Sequence, residues 1–383
     1  MNTEKLDKFL AAVRKNIKGT HISVMTESDI ANITETIKTP ALDLNRILSG
    51  NLNSGIPTRS VVGIAGPEGS FKSSFAILCA ADASRNGFQP ILIDTEGGLK
   101  TEFCTRWGLD TSKAVYFYSQ WVEEIMVFLA QLKDSGMEKM IIILDSVGGL
   151  DRLKTYEDAL DGDPKADQGQ LQRNIKTIIK MITGICVLQN SIAILTGHMY
   201  GAPGSIGKFA KPDEVGGGKA FKYLPSIFIQ LKKSQLKDDD KNVTGNAITA
   251  YTTKNRFYPA FQEAVIEIDY KNGINSYAGI LKLAVEAGII EKAGAWYSYK
   301  DEKLGQGEAN VTKTLKENAT ISNIVLDELN IWLKTTGYST INENIKQAVE
   351  MEQQYIKEDQ SDLDTPDEPE EEKPKKSKKS SKK

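Results

Sequence analysis

Histidine and cysteine are scarce in this chain: two of its 383 residues are His and three are Cys. His21 and His198 cannot between them build a multi-histidine metal site. Cys79, Cys104 and Cys186 are too scattered for a CxxC or zinc spacing, and a disulfide scaffold is excluded. A reducing cytoplasm, the host's if the source is viral, is therefore the expected setting. No apolar stretch approaches the roughly 18 residues that span a bilayer, so no membrane partner is expected. The opening MNTEKLDKFL mixes acids and bases, which no signal peptide does. What remains is a chain of 40% apolar and 26% charged residues with 31 glycines, suited to one large domain and one or two small ones.

The net charge of −3 hides a local imbalance. Between 165 and 222 lie eight cations (Lys165, Arg173, Lys176, Lys180, Lys208, Lys211, Lys219, Lys222) against three acids. Either a polyanion partner at one place or a solvated face produces such a run.

Apolar side chains at Leu6, Phe9, Leu10, Val13 and Ile17 form a helical stripe at the amino end. A helix this short is marginal alone, so it must pack on its own core or on a neighbouring subunit. From Val61 the pattern changes to short apolar runs: Val61–Ala65, Pro90–Ile93, Val115–Tyr118, Met140–Leu144, Ile192–Leu195, Ile227–Leu231, Ile248–Thr252 and Val265–Ile268. Helix-length stretches separate the earlier ones, and uninterrupted runs such as IIIL suit parallel strands covered on both faces. The later runs lie closer together and read as antiparallel additions. The expected fold is α/β, a mostly parallel sheet with a small carboxy-terminal domain, mostly helical around a glycine-rich aromatic insertion. Glu358–Glu372 holds nine acids and no base, and Lys373–Lys383 holds seven lysines, so a disordered tail is expected.

Strand Val61–Ala65 runs into Gly66-Pro67-Glu68-Gly69-Ser70-Phe71-Lys72-Ser73-Ser74 and then a helix, the context that a phosphate-binding P-loop requires. Backbone amides and the helix start would face phosphate oxygens. Lys72 would reach the β- and γ-phosphates and Ser73 would bind Mg²⁺. The usual glycine before the lysine is Phe71. Two apolar strands end in acids, at Asp145 and at Asp94-Thr95-Glu96, and in an open parallel sheet such tips face the P-loop's crevice. One carboxylate can hold Mg²⁺ through water while another orients the attacking water. A lone strand-end Asp is ordinarily a turn cap; a P-loop with two acidic tips in order reads as a nucleotide site.

The ordered blocks GPEGSFKS, DTEGGL, IIILDS, TGH, VGGGKAFKY and TKNR resemble the RecA recombinases, with Phe71 and His198 similar to the phage UvsX type. IEKAGAWYSYKDEKLGQGEAN (Ile290–Asn310) is similar to the bacterial RecA carboxy-terminal domain. The resemblance covers about residues 1 to 335. It implies a RecA-type ATPase core at 36–271, preceded by an oligomerisation segment at 1–35. A duplex-binding α+β domain at 272–335 and a linker with tail at 336–383 follow. It implies that Glu96 activates water, Asp145 is the Walker B acid and Mg²⁺ ligand, and Phe103 stacks on adenine. His198 would sense the γ-phosphate, although a lone histidine is otherwise most often a satisfied core residue. Lys254 and Arg256 would reach a neighbouring subunit's γ-phosphate; by themselves they are equally ordinary surface cations.

The same resemblance implies that the basic region divides into two DNA-binding loops, Asp161–Gly169 with Lys165 and followed by Arg173, and Met199–Gly218. The second carries Tyr200, Lys208, Phe209, Lys211, Gly217 and Gly218, with Lys219 just beyond. A twenty-residue glycine-rich loop is unusual in a compact domain unless it has a function. Lysines would attract the backbone while Phe209 wedges between bases. The implied protein binds ATP and Mg²⁺, forms helical filaments on single-stranded DNA and pairs it with double-stranded DNA. That serves recombination, DNA repair and the SOS response to DNA damage, with single-strand-binding and mediator proteins as further partners. A hexameric helicase-type ATPase motor shares this core and is the rival; a filament scaffold without turnover is a third reading.

Overall fold

The computed structural model describes residues 3–17, 21–162, 169–200, 214–237 and 240–335, which fall in one compact unit, Met1–Tyr338. Residues 163–168 of the first expected DNA loop, 201–213 of the second, and the charged tail lie outside the described residues.

The amino-terminal stripe forms α1 (Thr3–Asn16), which buries Leu10 but leaves Phe9 58% exposed. Next, β1 (Thr36–Ile37) and β2 (Ile56–Pro57) pair around α2 (Leu42–Ser49). The main sheet takes β3 (Ser60–Gly66), β4 (Gln89–Asp94), β5 (Val115–Tyr118), β6 (Met140–Asp145) and β7 (Ile192–Tyr200). The short β8 (Glu214–Val215) pairs with β7, and β9 (Ile227–Lys237), β10 (Val243–Asn255), β11 (Glu263–Asp269) and β12 (Gly273–Asn275) complete the sheet. Its order is β12-β11-β10-β9-β3-β7-β6-β4-β5, parallel from β9 to β5 and antiparallel beyond. Every apolar run read as a strand lies in this sheet.

Alternation along each strand makes two cores. Val62, Ile64, Ile141 and Ile143 pack on one face with α3 (Lys72–Arg85), through Phe75, Ala76, Cys79 and Ala80. Val61, Ala65, Ile142 and Leu144 pack on the other with α5 (Val122–Asp134) and α7 (Gln170–Leu188). On α7 the buried residues Ile175, Ile178, Ile179, Ile182 and Ile185 recur at helical spacing, so Arg173, Lys176 and Lys180 are left on the exposed face. Two shorter helices, α4 (Thr101–Arg106) and α6 (Leu153–Leu160), follow β4 and β6, and α8 (Gly218–Tyr223) precedes β9.

The carboxy-terminal region has α9 (Ile280–Glu286), α10 (Glu308–Glu317) and α11 (Ala319–Thr335). Between α9 and α10 the aromatic insertion is a three-stranded antiparallel sheet of β13 (Glu291–Ala293), β14 (Trp296–Tyr299) and β15 (Glu302–Gln306). The sequence WYSY alternates as a half-buried strand must: Tyr297 and Tyr299 point inward, and Trp296 is exposed. Leu52, from the loop after α2, is wholly buried in this region's core, and its N–H donates to Asn330 Oδ1 at 2.9 Å.

Candidate nucleotide site and nucleic-acid interface

The parallel register brings the strand tips into one row: Gly66 lies opposite His198, and Asp94 opposite Asp145. The cleft above that row, about 330 Å³, is lined by Glu68 to Ser74, Asp94, Glu96, Gly98, Phe103, Asp145 and His198. Topology thus collects what the sequence spreads over 131 residues.

The loop begins at Gly66, where a Cβ would lie 2.5 Å from Ser70 Oγ and 3.0 Å from the Leu231 carbonyl, so only glycine fits. Ser70 is fully buried and its hydroxyl donates to the Pro67 carbonyl at 2.7 Å, closing the turn. Phe71 takes the left-handed conformation, φ 75°, that the usual glycine takes freely. That costs a non-glycine residue about 1–2 kcal/mol. Edge-to-face packing on Trp107, 5.3 Å between ring centroids, offsets part of it. The substitution at Phe71 therefore preserves the loop's path while adding an aromatic wall beside Phe103.

Lys72 is 6% exposed, and its ammonium donates to the carbonyls of Gly66 at 2.9 Å and Pro67 at 2.8 Å. Burial pulls its pKa below the ordinary lysine value, while the carboxylates of Asp145, Glu96 and Glu68 oppose that shift. Asp145 is pushed the other way, above the ordinary carboxylate value, by burial. Hydroxyl bonds from Thr196 and Ser73 counter this, and the charges of Glu96 and Asp94 add to it. A carboxylate beside a serine hydroxyl is an oxygen donor pair suited to a hard divalent cation, whose charge would favour the ionised form that burial opposes. Ser73 and Asp145 therefore fit the Mg²⁺ role.

The two acids at the end of β4, Asp94 and Glu96, have different surroundings. Asp94 is 1% exposed and its carboxylate accepts the backbone N–H groups of Glu96 (3.1 Å), Gly97 (2.8 Å), Gly98 (3.3 Å) and Leu99 (2.9 Å). The Tyr116 hydroxyl donates to it as well, at 3.0 Å. Asp94 is the turn cap that organises this loop. Glu96 is the acid carried into the cleft, where Ser146 Oγ donates to its Oε1 and His198 Nε2 lies 3.6 Å from the same oxygen. Sequence reasoning missed Thr95, Ser146, Tyr116 and Thr196; a hydroxyl next to each strand-tip acid was the available signal for Thr95 and Ser146, whereas Tyr116 and Thr196 come from other strands, 22 and 51 residues away. It also missed Lys233 on β9, whose ammonium comes within 3.4 Å of where a Cβ on Gly69 would stand.

Lys254 and Arg256 are not brought to this cleft. Lys254 pairs with Phe228, which pairs with Gly63, the middle residue of β3, so it lies two strands away from β3 and level with that strand's centre. At about 3.3 Å per residue and 4.8 Å per strand, its backbone is on the order of 14 Å from Gly66. Its ammonium donates to the carbonyls of Tyr223 (2.5 Å) and Pro225 (2.6 Å), and burial with the adjacent Arg256 lowers its pKa.

Of the expected DNA contacts, Lys165, Lys208, Phe209 and Lys211 lie outside the described residues, and Tyr200 ends β7. Both loops' far ends are described and converge. Arg173 and Lys176 of α7 line one open groove with Gly218 and Lys219 at the start of α8. Gly217 and Gly218 have φ of 89° and 75°, and a Cβ on Gly217 would stand 2.5 Å from Val147 Cγ1. Lys176, one turn beyond Arg173, is a further cation of this surface. Gly216 N–H donates to the His198 carbonyl at 2.8 Å, so the strand that ends in the cleft also anchors the second loop.

A P-loop at the carboxyl edge of a mostly parallel sheet, faced by two acidic strand tips, defines a nucleotide-binding α/β core. The RecA N-terminal domain model matches residues 4–275 and the RecA C-terminal domain model matches residues 278–330. The chain is 32% identical over 280 residues to Protein RecA of Chlorobaculum tepidum, covering 72% of this chain and 78% of that one. It is 31% identical over 315 residues to Protein RecA of Kineococcus radiotolerans, 82% and 87% of the two chains. With Protein RecA of Wolbachia it shares 28% identity over 350 residues, 90% and 95%. This chain belongs to the RecA family. Among the described residues no helix is long and apolar enough to cross a membrane.

Proposed function

We propose that the protein is a DNA-dependent ATPase that polymerises on single-stranded DNA, pairs it with homologous duplex and exchanges strands during recombination and repair. The observation that carries this reading is the continuity through β7. His198 lies 3.6 Å from Glu96 on one side and bonds Gly216, at the root of a basic groove, on the other. A change at the γ-phosphate that moved His198 would reach the DNA-binding loops through β7 and the bond to Gly216.

Lys72 would neutralise the β- and γ-phosphate oxygens once its carbonyl partners yield to them. Glu96, to which the Ser146 hydroxyl donates, would accept a proton from the attacking water. Phe103 and Phe71 would bound the base. Ser73 and Asp145 would hold Mg²⁺, which when bound supplies charge neutralisation across the phosphates. Lys254 on β10 and Arg256 just after it, both away from this cleft, would complete a neighbouring subunit's site. The exposed Phe9 and Ile17 of the amino-terminal segment favour docking on that neighbour over the protein's own core. The domain at 272–335 would meet incoming duplex through Trp296 and the lysines beside it; Lys303 lies 6.0 Å from the Trp296 ring. Work of this kind belongs in the cytoplasm, with single-strand-binding and mediator proteins as partners.

Electron microscopy on single-stranded DNA with a non-hydrolysable ATP analogue tests the assembly: helical filaments are expected, and closed rings would support the helicase-type motor instead. Turnover of ATP in the same filaments separates a recombinase from a passive scaffold.

Lys254→Ala should depress DNA-stimulated hydrolysis while ATP binding is retained, and mixing it with Lys72→Ala protein should recover activity in mixed filaments. No recovery at any ratio, despite co-assembly, counts against action across the interface. Replacing Arg173, Lys176 and Lys219 together by alanine should flatten the dependence of DNA affinity on salt. For single strands each phosphate that the protein neutralises adds about 0.7 to the log–log slope, so a flattening of about two is expected. An unchanged slope would remove the groove from the interface.

A further inference from the structure

We infer that Ser146 is the positioning residue for Glu96, a conclusion that rests on the reading of Glu96 as the group that takes the water's proton. Ser146 follows the β6 acid and is 1% exposed. Its hydroxyl donates to Glu96 Oε1. Thr95 holds Ser146 from both sides: Ser146 N–H donates to Thr95 Oγ1 at 2.8 Å, and that hydroxyl donates to the Ser146 carbonyl at 2.8 Å. The hydroxyl that reaches Glu96 is thus mounted on backbone tied to the residue just before Glu96. Gly149 lets the turn after Ser146 close on the same place, because a Cβ there would stand 2.4 Å from Thr95 Oγ1 and 3.2 Å from Glu96 Cγ.

Glu96 needs such a restraint. Its side chain is 48% exposed, and a glutamate free to rotate spreads over several rotamers. The Asp94 cap fixes the backbone of the loop but not the carboxylate beyond it. His198 Nε2, at 3.6 Å, is outside hydrogen-bond distance, so the Ser146 hydroxyl is the bond that selects the rotamer. A general base acts only within reach of the proton it removes, so loosening Glu96 lowers turnover without weakening substrate binding. A serine that merely satisfied its own buried hydroxyl would have no such selective effect.

The test compares Ser146→Ala, Ser146→Thr, Glu96→Gln and the Glu96→Gln/Ser146→Ala double variant of the full chain. DNA-stimulated ATP hydrolysis and binding of a non-hydrolysable ATP analogue are measured for each. Ser146→Ala should lower kcat about tenfold, with KM and analogue affinity within about twofold of the parent. Ser146→Thr, which keeps the hydroxyl, should recover most of that loss. The double variant should be no slower than Glu96→Gln, because the hydroxyl acts through the carboxylate. Unchanged kcat in Ser146→Ala overturns the inference. So does a loss of analogue binding that matches the loss of turnover, or a full tenfold further loss in the double variant. Parental turnover in Glu96→Gln would instead overturn the role of Glu96 itself, whatever Ser146→Ala does.

Discussion

Lys72→Ala should reduce ATP hydrolysis to background, a fall of at least about a hundred- to a thousandfold. Removing one preorganised charge from the place where negative charge develops has that order of effect. No substitute is at hand: Lys72 is the one lysine or arginine lining the cleft among the described residues. Lys233 approaches Gly69 from β9, but its side chain is exposed outside the loop, where solvent screens it. The ammonium already spans the Gly66 and Pro67 carbonyls, so the same side chain sets the loop's shape and carries its charge. Weakened nucleotide binding should therefore accompany the lost turnover, measurable by titration with a fluorescent analogue. Hydrolysis within tenfold of the parent would refute the assignment.

Glu96→Gln should separate the two properties that Lys72→Ala loses together. Glutamine keeps the shape and an oxygen for Ser146 to donate to, but cannot accept the water's proton. Nucleotide binding should persist while turnover drops about a hundred- to ten-thousandfold, the usual contribution of general base catalysis. Filaments assembled with ATP should then persist where the parent's disassemble, which light scattering after an ATP chase would follow. Hydrolysis at the parental rate would leave Glu96 without the water-activating role. Asp94→Asn is the informative contrast. An amide cannot accept all the N–H groups that Asp94 accepts, so that variant should lose loop geometry and binding together.

Much of this molecule is legible in one dimension. Uninterrupted runs such as Met140–Leu144 announce parallel strands buried on both faces. Helical spacing of isoleucines along α7 announces which side meets the sheet. The P-loop is a contiguous segment, so its chemistry can be read off Gly66 to Ser73 directly, even with Phe71 in the glycine's position. These features depend on neighbours a few residues away, and local periodicity encodes them. The aromatic insertion at 290–310 is harder, because its strands are short and their pairing is not a local property.

The linear chain carries the inventory: a phosphate loop, acids at two strand tips, a basic glycine-rich stretch and the family those blocks resemble. How that inventory is shared out is a property of the folded molecule alone. Folding set Asp94 as a saturated turn cap and sent Glu96 into the cleft, although both stand at the same strand tip. It put His198 opposite Gly66 across 132 residues of chain, and Lys254 two strands away, level with the middle of β3. It drew Leu52 into the carboxy-terminal core, while Leu48 and Ile56 on either side of it join the core of the main sheet. The reason is physical: strand order and crossover direction set which tips meet, and they follow from burying both faces of the whole sheet at once. That constraint acts on the entire chain, and no single segment carries it.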